Sequence, residues 1–333
     1  MILFTIIGSI IGAGFASGQE IYLFFYRFGI NGILGILLCN IIMAIIIYKT
    51  LKIVKENKIY SYKDFLNTIF ENKTMLINST NIIINIFLCA TFFIMISGFG
   101  TYLSQTFGIN KILGSSILAI ISYCIFLKNI EGITKINSIV IPALIFMVVI
   151  IGIKNILNLD ISKIGTNITT NQRLFWVIQA ILYASYNLIL LIPVLINLKE
   201  FLKTKNQIKL ITSGVGIIMC MMSILVFLLL VNVDTDFSNL EMPIVYVIEN
   251  KFSSFKFIYG MIILFAIFTT AISVGIAFLN NICKNKKSFP QFAGTLCIIS
   301  VFVSPIGFSN LVNWLFPFFG YLGIVEVCFI LKL

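Results

Sequence analysis

Apolar runs of about 17 residues or more recur from one end of this 333-residue chain to the other. At about 1.5 Å per residue, a helical run of that length is matched to the ~30 Å hydrocarbon core of a bilayer. Lipid offers the backbone no hydrogen-bond partner, so a spanning segment must be a helix or part of a closed barrel. The runs lack the alternation of apolar and polar residues that barrel strands carry, which points to helices. Charge agrees: 11% of residues are Asp, Glu, Lys or Arg and 59% are hydrophobic, against about 25% charged in a soluble domain. The sequence predicts an all-α, polytopic membrane protein.

Ten spans are expected, over roughly 2–27, 30–54, 76–106, 111–128, 134–153, 174–198, 208–232, 256–283, 290–306 and 309–332. With the N-terminus inside, sixteen of the 23 Lys and Arg residues fall on the inner side and seven on the outer. The excess of basic residues marks the cytoplasmic side. The expectation is a bacterial-type plasma membrane protein with both termini cytoplasmic. The net charge of +11 thus reports topology, not nucleic-acid binding. The seven cysteines lie in or beside apolar runs without a C-x-x-C pair and read as small hydrophobes. The absence of histidine removes His-based catalysis and His–metal ligation. No Ser/His, Asp/Asp or H-E-x-x-H arrangement is present, so no enzyme is expected.

One stretch breaks the apolar pattern. Gly8 to Glu20 reads G-S-I-I-G-A-G-F-A-S-G-Q-E, with four glycines in eleven residues and a carboxylate two positions later. Each glycine weakens a helix by roughly 1 kcal/mol against alanine. Irregular backbone at membrane depth survives where it is buried in protein or lines a cavity. The first helix is therefore expected to be interrupted, with freed N–H and C=O groups available for binding.

An inverted-repeat transporter carries a matching interruption in its second half. Ten spans divide into five and five, 1–153 and 174–333, and the sixth span opens the second half. Its middle reads Y-A-S-Y-N, Tyr183 to Asn187, followed by Pro193. The expectation is a second broken helix there. The alternative is that Tyr183, Ser185 and Asn187 bond neighbouring helices. In the eighth span, Ala266, Thr269, Thr270 and Ser273 recur at helical spacing. They are candidate oxygen ligands for a small cation such as Na⁺, or hydroxyls bonded back to their own helix.

The run I-G-A-G-F-A-S-G-Q-E, with Y-A-S-Y-N and T-T-A-I-S, resembles the YkvI-like bacterial membrane proteins. The resemblance implies the amino acid–polyamine–organocation superfamily and its LeuT-type five-plus-five inverted repeat, with helices 1 and 6 broken. It implies a secondary transporter, with a neutral amino acid as the expected solute and Na⁺ or H⁺ as the coupling ion. A nutrient receptor of the same fold, like the spore-germination receptors, is the alternative. The implied substrate site uses backbone N–H groups of Ala13, Gly14 and Phe15, flanked by Ala16 and Ser17, for a carboxylate. Tyr183, Ser185, Tyr186 and Asn187 face the rest of the solute. The implied sodium site uses carbonyls of Gly8, Ile11 and Ala266 with the hydroxyls of Thr269 and Thr270, and Ser273 lies beside them. At most one sodium and no other cofactor are expected. Partners are the solute and the lipid bilayer.

Glu20 and Glu326 are the carboxylates inside apolar spans, and an intramembrane acid is a functional candidate by default. Either is expected to serve coupling or gating. For Glu20 the competing role is structural, as an acceptor tying down the helix turn beside it.

Overall fold

The structure is a computed structural model. It describes residues 2–128, 133–159, 174–198, 204–233, 235, 237–283 and 287–333. The described residues are helical throughout, joined by turns and short 3₁₀ segments, and contain no strand.

The first apolar segment is divided into α1 (Ile2–Ile10), α2 (Ala13–Ala16) and α3 (Gln19–Phe24). Beyond it run α4 (Ile30–Glu56), the short α5 (Tyr62–Ile69), α6 (Thr74–Phe107), α7 (Lys111–Lys128) and α8 (Ile133–Ile156). The chain continues with α9 (Phe175–Leu198), α10 (Lys205–Val231), the short α11 (Pro243–Lys251), α12 (Lys256–Ile282), α13 (Phe289–Val303) and α14 (Phe308–Lys332). Among the described residues, eight helices are long and apolar enough to cross a bilayer: α4, α6, α8, α9, α10, α12, α13 extended to Ile306, and α14. The chain is a polytopic helical membrane protein. Two of the ten expected spans do not reach that length as single helices. One is α7, apolar over Lys111–Leu127, and the other is the divided first segment.

The interruption follows from its residues. Gly12 is extended (φ −101°, ψ −169°), and its N–H turns to the Ile10 carbonyl at 3.1 Å instead of continuing α1. Helix resumes for one turn at Ala13 and stops at Gly18, whose φ of +81° is left-handed. A side chain there is strained, and a Cβ would also strike Ile244 of α11.

The second expected interruption is not found. α9 is continuous from Phe175 to Leu198, with Pro193 inside it. The polar residues explain why. Ser185 Oγ donates to the Ile181 carbonyl at 2.8 Å, and Asn187 Nδ2 donates to the Tyr183 carbonyl at 2.9 Å. Both side chains bond one turn back along an intact helix. No glycine weakens this stretch, so polarity alone does not unwind it.

α9 is the most enclosed long helix, with 72% of its apolar window buried. It packs against α14, α4 and α1. Gly320 and Gly323 let α14 ride on the α9 backbone at Leu182 and Ser185. The connection between α10 and α12 contains α11, whose Pro243, Ile244, Val245, Val247 and Ile248 are buried. Between α8 and α9, residues 160–173 lie outside the described residues.

Candidate functional site

The interruption and the middle of α9 meet at one carboxylate. Glu20, on the first turn of α3, is 3% exposed. Gly18 reverses the chain so that Glu20 points back at α2, and a Cβ on Gly14 would fall on Glu20 Oε1. The Phe15 N–H lies beside this carboxylate. Tyr186 Oη, from α9, donates to Oε2 at 2.7 Å. The Tyr183 hydroxyl faces the same carboxylate and Tyr186 but reaches no hydrogen-bond geometry and stays buried without a partner. No cation pairs with Glu20 among the described residues.

Rings enclose this group. Tyr183 packs edge-on to Phe24 and Phe25, with centroids 5.4 and 5.0 Å away. Tyr186 stacks on Phe316 of α14 at 4.7 Å. Offset and edge-to-face pairs at these separations each add about 0.5–1.5 kcal/mol beyond their burial. The carboxylate therefore sits in a buried, aromatic setting between α2 and α9 and is hydrogen-bonded to α9.

The sequence-derived substrate set divides on this geometry. Ala13, Gly14, Phe15 and Ala16 form α2, and all four are buried. Ser17 is also buried, with Oγ donating to the Gly14 carbonyl at 3.0 Å. Tyr183 and Tyr186, three residues apart, present one face of α9 to the interruption. Ser185 and Asn187 do not reach it with their hydrogen bonds, which return to their own helix. The Phe15 N–H expected for a solute carboxylate lies beside that of Glu20.

The sodium set is drawn from two places. A Cβ on Gly8 would press on Ile141 of α8, and the principal neighbours of α1 are α8, α9 and α10. The Ile11 N–H remains bonded to the Ile7 carbonyl at 2.8 Å. On α12, Ala266 and Thr269 are buried and Thr270 is half-buried. Thr269 Oγ1 donates to the Phe265 carbonyl at 2.9 Å, with the Ala266 carbonyl at 3.2 Å, and Ser273 Oγ donates to the Thr269 carbonyl at 2.8 Å. α12 meets the first segment chiefly through α2.

Glu326, on α14, is 3% exposed. Its Oε1 accepts from Tyr62 Oη of α5 at 3.1 Å, and its Oε2 is buried with no partner among the described residues. Burial, and then the adjacent Glu326 charge, hold the Tyr62 phenol well above its ordinary range. Tyr62 is thus a neutral donor at physiological pH. The bond ties the connection after α4 to the last helix.

Comparison with known proteins places the chain beside two relatives. It is similar to the uncharacterized membrane protein YkvI of Bacillus subtilis (strain 168). The two are 26% identical over 335 residues, covering 97% of this chain and 92% of the relative. It is likewise similar to the uncharacterized protein YyaD of the same organism, 27% identical over 337 residues, covering 99% and 95%. No protein-family model matches the chain. The similarity to YkvI extends along nearly the whole length of both chains, as the G-A-G-F-A-S-G-Q-E run suggested.

Several residues at the site were not singled out in the sequence. Gln19 Nε2 donates to Ser309 Oγ at 2.7 Å and to Asn313 Oδ1 at 3.1 Å on α14. Tyr259 Oη of α12 donates to the Ala16 carbonyl at 2.5 Å, capping α2. The Ile244 N–H of α11 donates to the Ser17 carbonyl at 2.9 Å. Glu241, just before α11, accepts from Thr101 at 2.9 Å and from the Phe308 N–H at 2.7 Å, and pairs with Lys111. The connection that carries α11 is thereby fastened to α6, α7 and α14 while α11 rests on the interruption. Gln19 beside Glu20, and Ser309 with Asn313 one turn apart, were visible polar signals in apolar runs. The contacts themselves join residues far apart in the chain.

Proposed function

We propose that the protein is a secondary active transporter of a small organic solute, with a neutral amino acid as first candidate and H⁺ as the coupling ion. The observation that carries this reading is Glu20. It is a buried carboxyl with no paired cation among the described residues, held between the interrupted helix and α9. Buried acids facing a bundle interior are the groups that proton-coupled carriers use. The architecture proposed is the LeuT-type five-plus-five repeat, 1–153 and 174–333, in the plasma membrane with both termini cytoplasmic. The interrupted first segment and the lysine distribution support it.

In this reading, protonation of Glu20 weakens its attraction for the neighbouring Phe15 N–H. The solute carboxylate then takes that donor, and its apolar part lies against Tyr183, Tyr186 and Phe24. Release of solute and proton on the other side restores the Glu20 contacts. The step is an exchange of hydrogen-bond acceptors, with no covalent chemistry and no cofactor.

Sodium coupling is the second reading. The A-x-x-T-T spacing from Ala266 to Thr270 favours it, and the Thr269 hydroxyl keeps lone pairs free while donating along α12. Purified protein in proteoliposomes distinguishes the two. Amino-acid accumulation under an inward proton gradient without sodium supports the first reading. Accumulation under a sodium gradient alone supports the second. Binding without flux under either would make the protein a receptor, and neither binding nor flux for any amino acid would overturn the amino-acid assignment.

A further inference from the structure

Two hollows lie end to end along the seam between α4 and α10. The larger, about 610 Å³, is lined by Leu37, Asn40, Ile41, Ala44, Gly216, Ile217 and further, mostly apolar residues up to Leu228. The other, about 470 Å³, continues from it at Ala44 and Ser213 and is edged by Lys49, Lys52, Lys209 and Glu56. Small residues bring the two helices close there, leaving a groove along the seam: a Cβ on Gly216 would press on the Ala44 methyl at 3.2 Å. Ile41 and Ile217 stand on the surface, 58% and 69% exposed, so the hollow opens sideways toward lipid. From Leu37 to Ala44 on α4 and from Gly216 to Leu228 on α10, the apolar part spans roughly 10–18 Å. That is about the depth of one leaflet's hydrocarbon.

The basic end has the complementary chemistry. Glu56 is engaged by Lys205 at 3.2 Å. Lys49 Nζ donates to the Leu331 carbonyl at 2.5 Å. Lys52 and Lys209 are exposed and have no ion-pair partner among the described residues. An apolar slot of leaflet depth ends at two unpaired ammonium groups.

We propose that this seam is a binding site for one anionic phospholipid, its acyl chain along Ala44 and Gly216 and its phosphate between Lys52 and Lys209. Basic residues at a membrane surface attract anionic headgroups by about 1 kcal/mol each. The apolar slot adds chain burial that a soluble anion cannot use. The site is separate from Glu20 and holds whether or not the protein transports.

The test is native mass spectrometry of the full chain in detergent, titrated with phosphatidylglycerol, phosphatidylethanolamine or inorganic phosphate. The expected result is one tightly retained phosphatidylglycerol, about tenfold or more favoured over phosphatidylethanolamine. The double variant Lys52→Gln/Lys209→Gln reduces that preference to about twofold or less, and as both lysines are exposed it leaves folding intact. Gly216→Leu fills the slot and weakens both lipids, with thermal melting confirming the fold. Equal retention of the two lipids by the wild type, an unchanged preference in the lysine variant, or displacement of phosphatidylglycerol by inorganic phosphate at matched concentration would each overturn the proposal.

Discussion

Tyr186 and Glu20 stand 166 residues apart in the chain and 2.7 Å apart in space. The bond joins the central helix to the interruption, and it gives the neighbouring Tyr183 a useful contrast. Tyr186→Phe leaves a buried carboxylate oxygen without its donor and is expected to cost about 1–3 kcal/mol. Tyr183→Phe removes a hydroxyl that has no hydrogen-bond partner among the described residues, and its cost should be near zero. Thermal unfolding of both variants in one detergent measures the difference. Equal losses would mean that both phenols bond the carboxylate.

Glu20→Gln keeps the shape of the side chain and removes its exchangeable charge. Uptake driven by a proton gradient should fall to the level of protein-free liposomes, while solute exchange at equal pH persists. Retained gradient-driven accumulation would exclude Glu20 from coupling.

Neighbouring glycines should respond in opposite ways. Gly14→Ala places a methyl on the Glu20 carboxylate and is expected to cost about 1–3 kcal/mol, together with loss of uptake. Gly12 has open space around it and an extended conformation that alanine adopts. Gly12→Ala should be neutral or stabilise by about 0.4–1 kcal/mol through the unfolded chain. Melting temperature and uptake rate report both.

Glu241 holds the connection that carries α11 through Thr101, Lys111 and the Phe308 N–H. Glu241→Ala should leave that buried N–H unsatisfied at a cost of about 1–3 kcal/mol. Amide hydrogen exchange should then rise across Pro243–Lys251. Unchanged protection there would show that the buried apolar face of α11 alone keeps it in place.

Thr269→Ala/Thr270→Ala should leave proton-driven uptake intact, and replacing external sodium by choline should do the same. Loss of uptake in either experiment, with the protein still folded, would move the coupling site to α12.

Helices were legible because the bilayer imposes length and apolarity on each span. The first interruption was legible because four glycines in eleven residues have no place in a plain span. The expected interruption in α9 rested on polarity alone. Ser185 and Asn187 show why that signal misleads, since a short polar side chain can bond the preceding turn and leave the helix whole. Glu20 and Tyr186 each stood out in the sequence, but their contact did not, because nothing local encodes a pairing across 166 residues. The same holds for Tyr259 on Ala16 and for Gln19 on Ser309. Fully apolar helices carry little periodicity, so which face turns inward is decided by packing that the pattern does not display.

The bond from the Ile244 N–H to the Ser17 carbonyl has a practical consequence. Ser17 lies three residues before Glu20, at the start of the reversal that aims the carboxylate, and Ile244 lies at the start of α11. A change in that reversal must shift or release the end of α11. The exposed Asn250 and Lys251 at the far end of the same helix therefore offer a vantage point away from the carboxylate. A fluorophore attached there could follow events at the buried group with no label placed beside it.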